Sequence, residues 1–63
     1  MNSPEVIATY LIDHLYNLYS QWDGYEGEPM WDYIDGSIET TQHYLSKMGF
    51  NYMEFEQYKE ERL

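Results

Sequence analysis

The central stretch of the chain, residues 29–48, reads PMWDYIDGSIETTQHYLSKM and decides the fold. Its apolar residues recur every three or four positions, which predicts an amphipathic helix. Six residues are expected to form the inner side of this helix: Met30, Ile34, Ile38, Thr41, Leu45 and Met48. Pro29 suits a first helical position, and Gly49 suits the left-handed residue that closes a helix. Because a glycine inside a helix costs about 1 kcal/mol, a break at residues 35–37, around Gly36, remains an alternative to one continuous helix.

The same stretch carries four carboxylates at spacings of four, three and four residues: Glu28, Asp32, Asp35 and Glu39. On a helix this spacing aligns them in one row, called the carboxylate row below. At 100° per residue the row points about 135° away from the inner side. Along this helix no lysine or arginine comes within reach of the row before Lys47. Because like charges four residues apart destabilise a helix, we expect the row to serve a basic partner; a merely solvated face is the alternative.

The residues before this helix predict a first helix over about residues 4–22. Ser3 suits the N-cap and Pro4 the first helical position. An apolar stripe at helical spacing is expected to face the core: Ile7, Leu11, Leu15, Leu18 and Trp22. The glycines and proline of residues 23–29, DGYEGEP, predict a loop between the two helices.

The residues after Gly49 predict a third helix over about residues 52–62. Asn51 and Glu54 have the spacing of a capping box, and Phe50 and Phe55 that of a hydrophobic staple. The side chains expected to face inward or sideways from this helix are Met53, Phe55, Tyr58, Arg62 and Leu63.

These elements together predict an all-α fold. Residues 1–63 are expected to form a single acidic three-helix domain, with an antiparallel helical hairpin (about 4–22 and 29–48) and a short C-terminal helix (about 52–62). The chain has no cysteine, so neither a disulfide nor a thiolate metal site stabilises it.

The charge balance narrows the class of partner. Twelve acidic residues against three basic ones give a formal net charge of -9. Free nucleic acid and anionic membranes would repel such a chain, whereas basic protein surfaces would attract it. The sequence has no basic leader followed by an apolar run and no stretch of membrane-spanning length. We therefore expect a cytoplasmic protein, in the host cytoplasm if it is phage-encoded.

Aromatic residues gather around the acidic loop, and they suggest where a partner would bind. We expect Trp22 to pack in the core and Trp31, which flanks the carboxylate row, to lie at an interface. The predicted partner-binding set consists of the row together with an adjoining group: Asp23, Tyr25, Glu26 and Trp31. A second group of aromatic residues would suit a homodimer interface: Tyr16, Tyr19, Tyr44, Tyr52 and Tyr58.

No motif in the sequence predicts catalysis or a bound metal. Glu39 and His43 have chelating spacing, but the Glu-x-x-His pattern of di-metal helical bundles is absent. Asp13 and His14 are adjacent, so they point to different sides of a helix. The sequence has no cysteine nucleophile and no Gly-rich phosphate loop. We therefore expect no enzymatic activity, no cofactor and no metal site.

The sequence predicts a non-enzymatic binding protein that docks an acidic helical face on a basic surface of a partner. That surface is expected to belong to a nucleic-acid-binding protein or enzyme, so the chain would act as an inhibitor or nucleic-acid mimic. In size, acidity and aromatic content the chain is similar to small phage-encoded proteins that imitate nucleic acid, a class that no residue motif defines. The alternative is a homo-oligomeric structural or adaptor module that uses the tyrosine-rich face.

Overall fold

The computed structural model describes residues 3–62 and contains three helices in this part of the chain. These are α1 (Pro4–Gly24), α2 (Pro29–Met48) and α3 (Phe55–Glu61). The helices α1 and α2 form an antiparallel hairpin across a four-residue connection, and α3 packs on one side of it. The predicted all-α fold, a hairpin with a short third helix, is confirmed. The prediction for Leu63 falls outside the described residues.

Helix α1 begins where the sequence predicts and ends two residues later. Ser3 is its N-cap, and the Ser3 hydroxyl accepts a hydrogen bond from the Val6 N–H at 3.3 Å. The helix continues through Asp23 and Gly24, which were expected to lie in the loop. Because the Asp23 side chain is held by Tyr58 and Arg62 of the C-terminal region, tertiary contacts stabilise this last turn.

Helix α2 is continuous through Gly36, so the alternative of a break at residues 35–37 is wrong. Gly49 closes the helix in the left-handed conformation, at φ 78°, and its N–H donates to the Leu45 carbonyl at 3.1 Å. Both features match the sequence prediction. The uninterrupted helix keeps the carboxylates that lie on α2 in a straight line.

The core lies between α1 and α2 and is closed at one end by Phe55. Its buried apolar members are Ala8, Leu15, Leu18, Tyr19, Ile34, Ile38, Leu45 and Phe55. Two predicted core residues, Ile7 and Met30, are instead exposed. In both places the next residue along the chain packs inward instead. Ala8 is buried in place of Ile7. Trp31 packs in place of Met30, with its ring centroid 5.2 Å from that of Trp22.

Residues 50–54 are not helical, so the third helix begins at Phe55 rather than near residue 52. The predicted capping box is wrong, because Glu54 is the N-cap and makes no side-chain capping bond. The predicted hydrophobic staple fails with it, since Phe55 is the first helical residue. Tertiary hydrogen bonds override the local signal: Tyr16 and Tyr19 of α1 bind the backbone of Met53 on both sides.

Candidate binding surface

The carboxylate row lies along α2 and continues to the residue that precedes it. Asp32 and Glu39 are exposed helical residues, and Asp35 between them is half-buried. Glu28 is the N-cap of α2, with extended backbone and an exposed side chain. The structure therefore brings three of the four predicted row members onto one helix and places the fourth at its N-terminus, where the helix dipole favours a negative charge.

Very little positive charge within the chain compensates the acidic residues. Between residues 3 and 62 only two ion pairs form, Lys59 with Glu56 at 3.0 Å and Arg62 with Asp23. No member of the carboxylate row takes part in either pair. The row is therefore a run of negative charge, exposed at three of its four members, that forms no ion pair in the described part of the chain.

Asp23 differs from the other predicted binding residues because its carboxylate is already engaged. The Tyr58 hydroxyl donates to Asp23 Oδ2 at 2.7 Å, and the Arg62 guanidinium pairs with the same oxygen. The Arg62 guanidinium also donates to the Tyr58 hydroxyl at 2.9 Å. Asp23 thus fastens α3 to the end of α1, and the structure assigns it an internal structural contact.

The aromatic group predicted around the loop is divided by the structure. The rings of Trp22 and Trp31 pack together at one end of the hairpin, and both indoles are partly buried. Their N–H groups are inaccessible to solvent and have no hydrogen-bond partner among residues 3–62. Tyr25 and Glu26 are exposed in the connection after α1. Tyr33 lies on the opposite side of α2 from Asp35, which is the member of the row nearest the core.

The eight tyrosines also fall into two groups. Four hydroxyls, those of Tyr16, Tyr19, Tyr52 and Tyr58, form hydrogen bonds that hold the C-terminal segment (residues 50–62) on the hairpin. No hydrogen bond within residues 3–62 involves the hydroxyls of the other four: Tyr10, Tyr25, Tyr33 and Tyr44. Of the five tyrosines predicted to line a homodimer patch, four are thus used within the chain, and Tyr44 is separate from them.

Tyr19 is the most buried of the tyrosines. Its hydroxyl also has an internal partner. It donates to the Met53 carbonyl at 2.6 Å, and its ring stacks on the rings of Phe55 and Tyr58. Burial raises the pKa of Tyr19 well above its usual value, and Tyr16, Tyr52 and Glu54 contribute in the same direction. The hydroxyl therefore stays protonated and keeps donating to the C-terminal segment across the ordinary pH range.

The described residues contain no arrangement that suggests metal chemistry. No group of three or more His, Asp or Glu side chains in this part of the chain is placed to hold a metal ion. His14 borders an open groove between α1 and α2, with Tyr33 and Ser37 across from it. No helix within residues 3–62 is long and apolar enough to cross a membrane.

Comparison of the chain with protein-family models, with curated proteins and with solved structures gave no match. The surfaces described above are therefore interpreted from their own geometry and charge.

Sequence reasoning missed one surface, the side of the hairpin that faces away from the C-terminal segment. There Tyr10, Tyr33 and Tyr44 are exposed, and His14 borders the groove between the helices. The signal was present in the sequence, as uncharged residues at helical spacing in both long helices. This surface was not recognised from the sequence because uncharged residues at helical spacing also occur on an ordinary solvated helix face.

Proposed function

We propose that this chain is a non-enzymatic binding protein that docks its carboxylate row on a basic surface of a partner protein. The observation that carries the proposal is a line of carboxylates on an uninterrupted helix, exposed at Asp32 and Glu39 and half-buried at Asp35, which form no ion pair within residues 3–62. Most surface helices mix charges of both signs, and this side of α2 does not. The formal net charge of -9 also supports the proposal.

The physical gain comes from charge-assisted hydrogen bonds and from steering. Carboxylates that meet lysine or arginine side chains form short hydrogen bonds, about twice as strong as neutral ones. A patch of one sign also raises the association rate with an oppositely charged surface. Asp32, Asp35 and Glu39 are held at fixed separations by the helix, so a partner does not have to order them.

The class of partner follows from the spacing of the charges. Along an α-helix, residues four apart are separated by about 6 Å and residues three apart by about 4.5 Å. The phosphates of a nucleic-acid strand are spaced on a similar scale, so the row is suited to occupy a nucleic-acid-binding surface. Under this proposal the chain acts in the cytoplasm as an inhibitor or nucleic-acid mimic, of the kind found among small phage proteins.

Residues next to the row extend the proposed contact. Tyr25 and Glu26 are exposed in the connection that leads to Glu28, and the partly buried Trp31 lies at the same end of α2. Tyrosine and tryptophan are enriched among residues that dominate binding energy, and their rings stack on arginine. We assign these side chains to the rim of the proposed interface, whereas Asp23 supports it by holding α3.

Capture of partners from a bacterial lysate tests the proposal. The tagged chain is compared with the Asp32→Lys, Asp35→Lys double variant at low and at high salt, and retained proteins are identified by mass spectrometry. We expect a nucleic-acid-binding protein that is retained at low salt, released at high salt and lost with the double variant.

A charge-matched control separates the row from general acidity. The Glu60→Lys, Glu61→Lys double variant changes the net charge by the same amount at two exposed positions near the end of α3. This control should retain the partner, and circular dichroism should show that both variants are folded. A partner that survives reversal of the row at low salt, or that both double variants lose equally, would contradict the proposal.

A further inference from the structure

The side of the hairpin opposite the C-terminal segment, called the open face below, is an unusual surface for so acidic a chain. It exposes Tyr10, Tyr33 and Tyr44, whose accessible fractions are 73%, 72% and 59%. No other part of residues 3–62 covers it, since the C-terminal segment binds Gln42 and Ser46 on the far side of α2. At 100° per residue, Tyr33 and Tyr44 lie about 170° around α2 from those contacts.

The carboxylates of the open face are few and lie beside its outer residues. Glu5 and Asp13 border Tyr10 on α1. Apart from Asp32, the groove between the helices is lined by uncharged residues: His14, Tyr33, Gly36, Ser37, Thr40 and Thr41. Asp32 stands at the rim of the groove between the helices. Of the 12 acidic residues of the chain, only Asp32 lines this groove.

We propose that the open face is the interface of a symmetric homodimer, with a second copy of this chain as its occupant. A symmetric interface brings the same patch of both copies together, so a patch with few charges is favoured when each copy carries -9. A basic partner would find little opposite charge here. The mean direction of the carboxylate row is about 140° away around α2, so Asp35 and Glu39 lie outside the interface and only Asp32 borders it.

The dimensions of the face agree with a concentration-dependent dimer. A helix of 20 residues is about 30 Å long, and two packed helices are about 20 Å across. Each copy therefore offers roughly 600 Å², the lower end of the range for stable interfaces. Tyrosine is among the residue types enriched at the centres of such interfaces. The proposal is independent of the function proposed above.

Sedimentation equilibrium of the untagged chain, from low micromolar to about millimolar concentration, tests the dimer. We expect the mass to rise with concentration from 7.7 kDa towards twice that value. Dimerisation should strengthen at high salt, because salt screens the repulsion between the two acidic copies. Binding of a partner through the carboxylate row should instead weaken at high salt. The opposite salt dependence distinguishes failure of the dimer proposal from failure of the proposed function.

Two variants locate the interface. Tyr33→Glu adds a carboxylate to the open face of each copy and should raise the dimer Kd by at least about tenfold. Gln57→Glu adds the same charge on the exposed side of α3 and should change Kd by less than about twofold. Tyr44→Ser, which adds no charge, should weaken the dimer as well. A monomer at every concentration, or equal effects of Tyr33→Glu and Gln57→Glu, would overturn the proposal.

Discussion

The two broad sides of the helical hairpin use the same residue type for different purposes. On the covered side, the hydroxyls of Tyr16, Tyr19 and Tyr52 bind the chain itself and hold the C-terminal segment in place. On the open face, Tyr10 and Tyr33 are largely exposed, and their hydroxyls have no partner within residues 3–62. A tyrosine-rich helix therefore does not by itself identify an interface. The side available for binding another molecule is the one whose tyrosine hydroxyls are not already bonded inside the chain.

The largest expected difference between the two sides is in stability. Tyr19→Ala removes a buried ring and its hydrogen bond, which should cost about 3–5 kcal/mol and leave so small a domain largely unfolded. Tyr33→Ala, on the open face, should change the free energy of unfolding by no more than about 0.5 kcal/mol. Urea denaturation followed by circular dichroism, at a concentration too low for association, measures both. Equal losses would show that the two sides are not distinct.

A smaller effect is expected where the C-terminal segment is fastened. Asp23→Ala removes the acceptor of Tyr58 and the counter-charge of Arg62, and it should destabilise α3 by about 1–2 kcal/mol. Because the core between α1 and α2 does not include Asp23, hydrogen exchange should accelerate in α3 more than in the centre of α2. Asp13→Ala, at an exposed carboxylate of α1, serves as the control. Uniform acceleration along the chain would contradict a local fastening.

The covered side should also be sensitive to alkaline pH. Tyr19 has a raised pKa in the folded chain and titrates near its ordinary value of about 10 when unfolded. Its contribution is therefore complete below pH 10 and is lost as the pH rises above that value, by at most about 1.4 kcal/mol per pH unit. Urea midpoints between pH 8 and 11 measure this. Tyr19→Phe should flatten the decline and Tyr33→Phe should not; identical curves for the two variants would exclude Tyr19 as the cause.

The smallest effects are expected at two glycines in and after α2. Gly36 has helical backbone, and a Cβ added there meets nothing within 4 Å, so Gly36→Ala should stabilise the chain by about 0.5–1 kcal/mol. Gly49 adopts φ 78°, so Gly49→Ala should destabilise it by about 1 kcal/mol. Thermal unfolding compares the two. A loss of stability in Gly36→Ala would mean that this part of the helix is not regular.

Much of the fold was predictable because local signals decide it. Ser3 and Pro4 start α1, and Gly49 ends α2, through backbone preferences that act within a few residues. The start of α3 was not predictable in this way, because the hydroxyls of Tyr16 and Tyr19 form hydrogen bonds with the backbone of Met53, more than thirty residues away, and residues 50–54 stay outside the helix. Capping signals depend only on residues close in sequence, so they do not reflect such distant partners.

The candidate site divides along the same line. The alignment of Asp32, Asp35 and Glu39 followed from helical spacing alone, and the continuous helix confirms that geometry. The engagement of Asp23 by Tyr58 and Arg62 was not readable from the sequence, because it depends on where α3 docks. Binding of a partner to the row stays a prediction, because charge and exposure permit binding but do not identify a partner.

Competition on the captured partner tests the central claim most directly. The partner retained by the tagged chain is titrated with duplex DNA or RNA at constant salt, and the release of the chain is measured. If the carboxylate row occupies a nucleic-acid-binding surface, nucleic acid should displace the chain in proportion to its concentration, and no complex should contain both. A stable complex of partner, nucleic acid and chain would contradict the account.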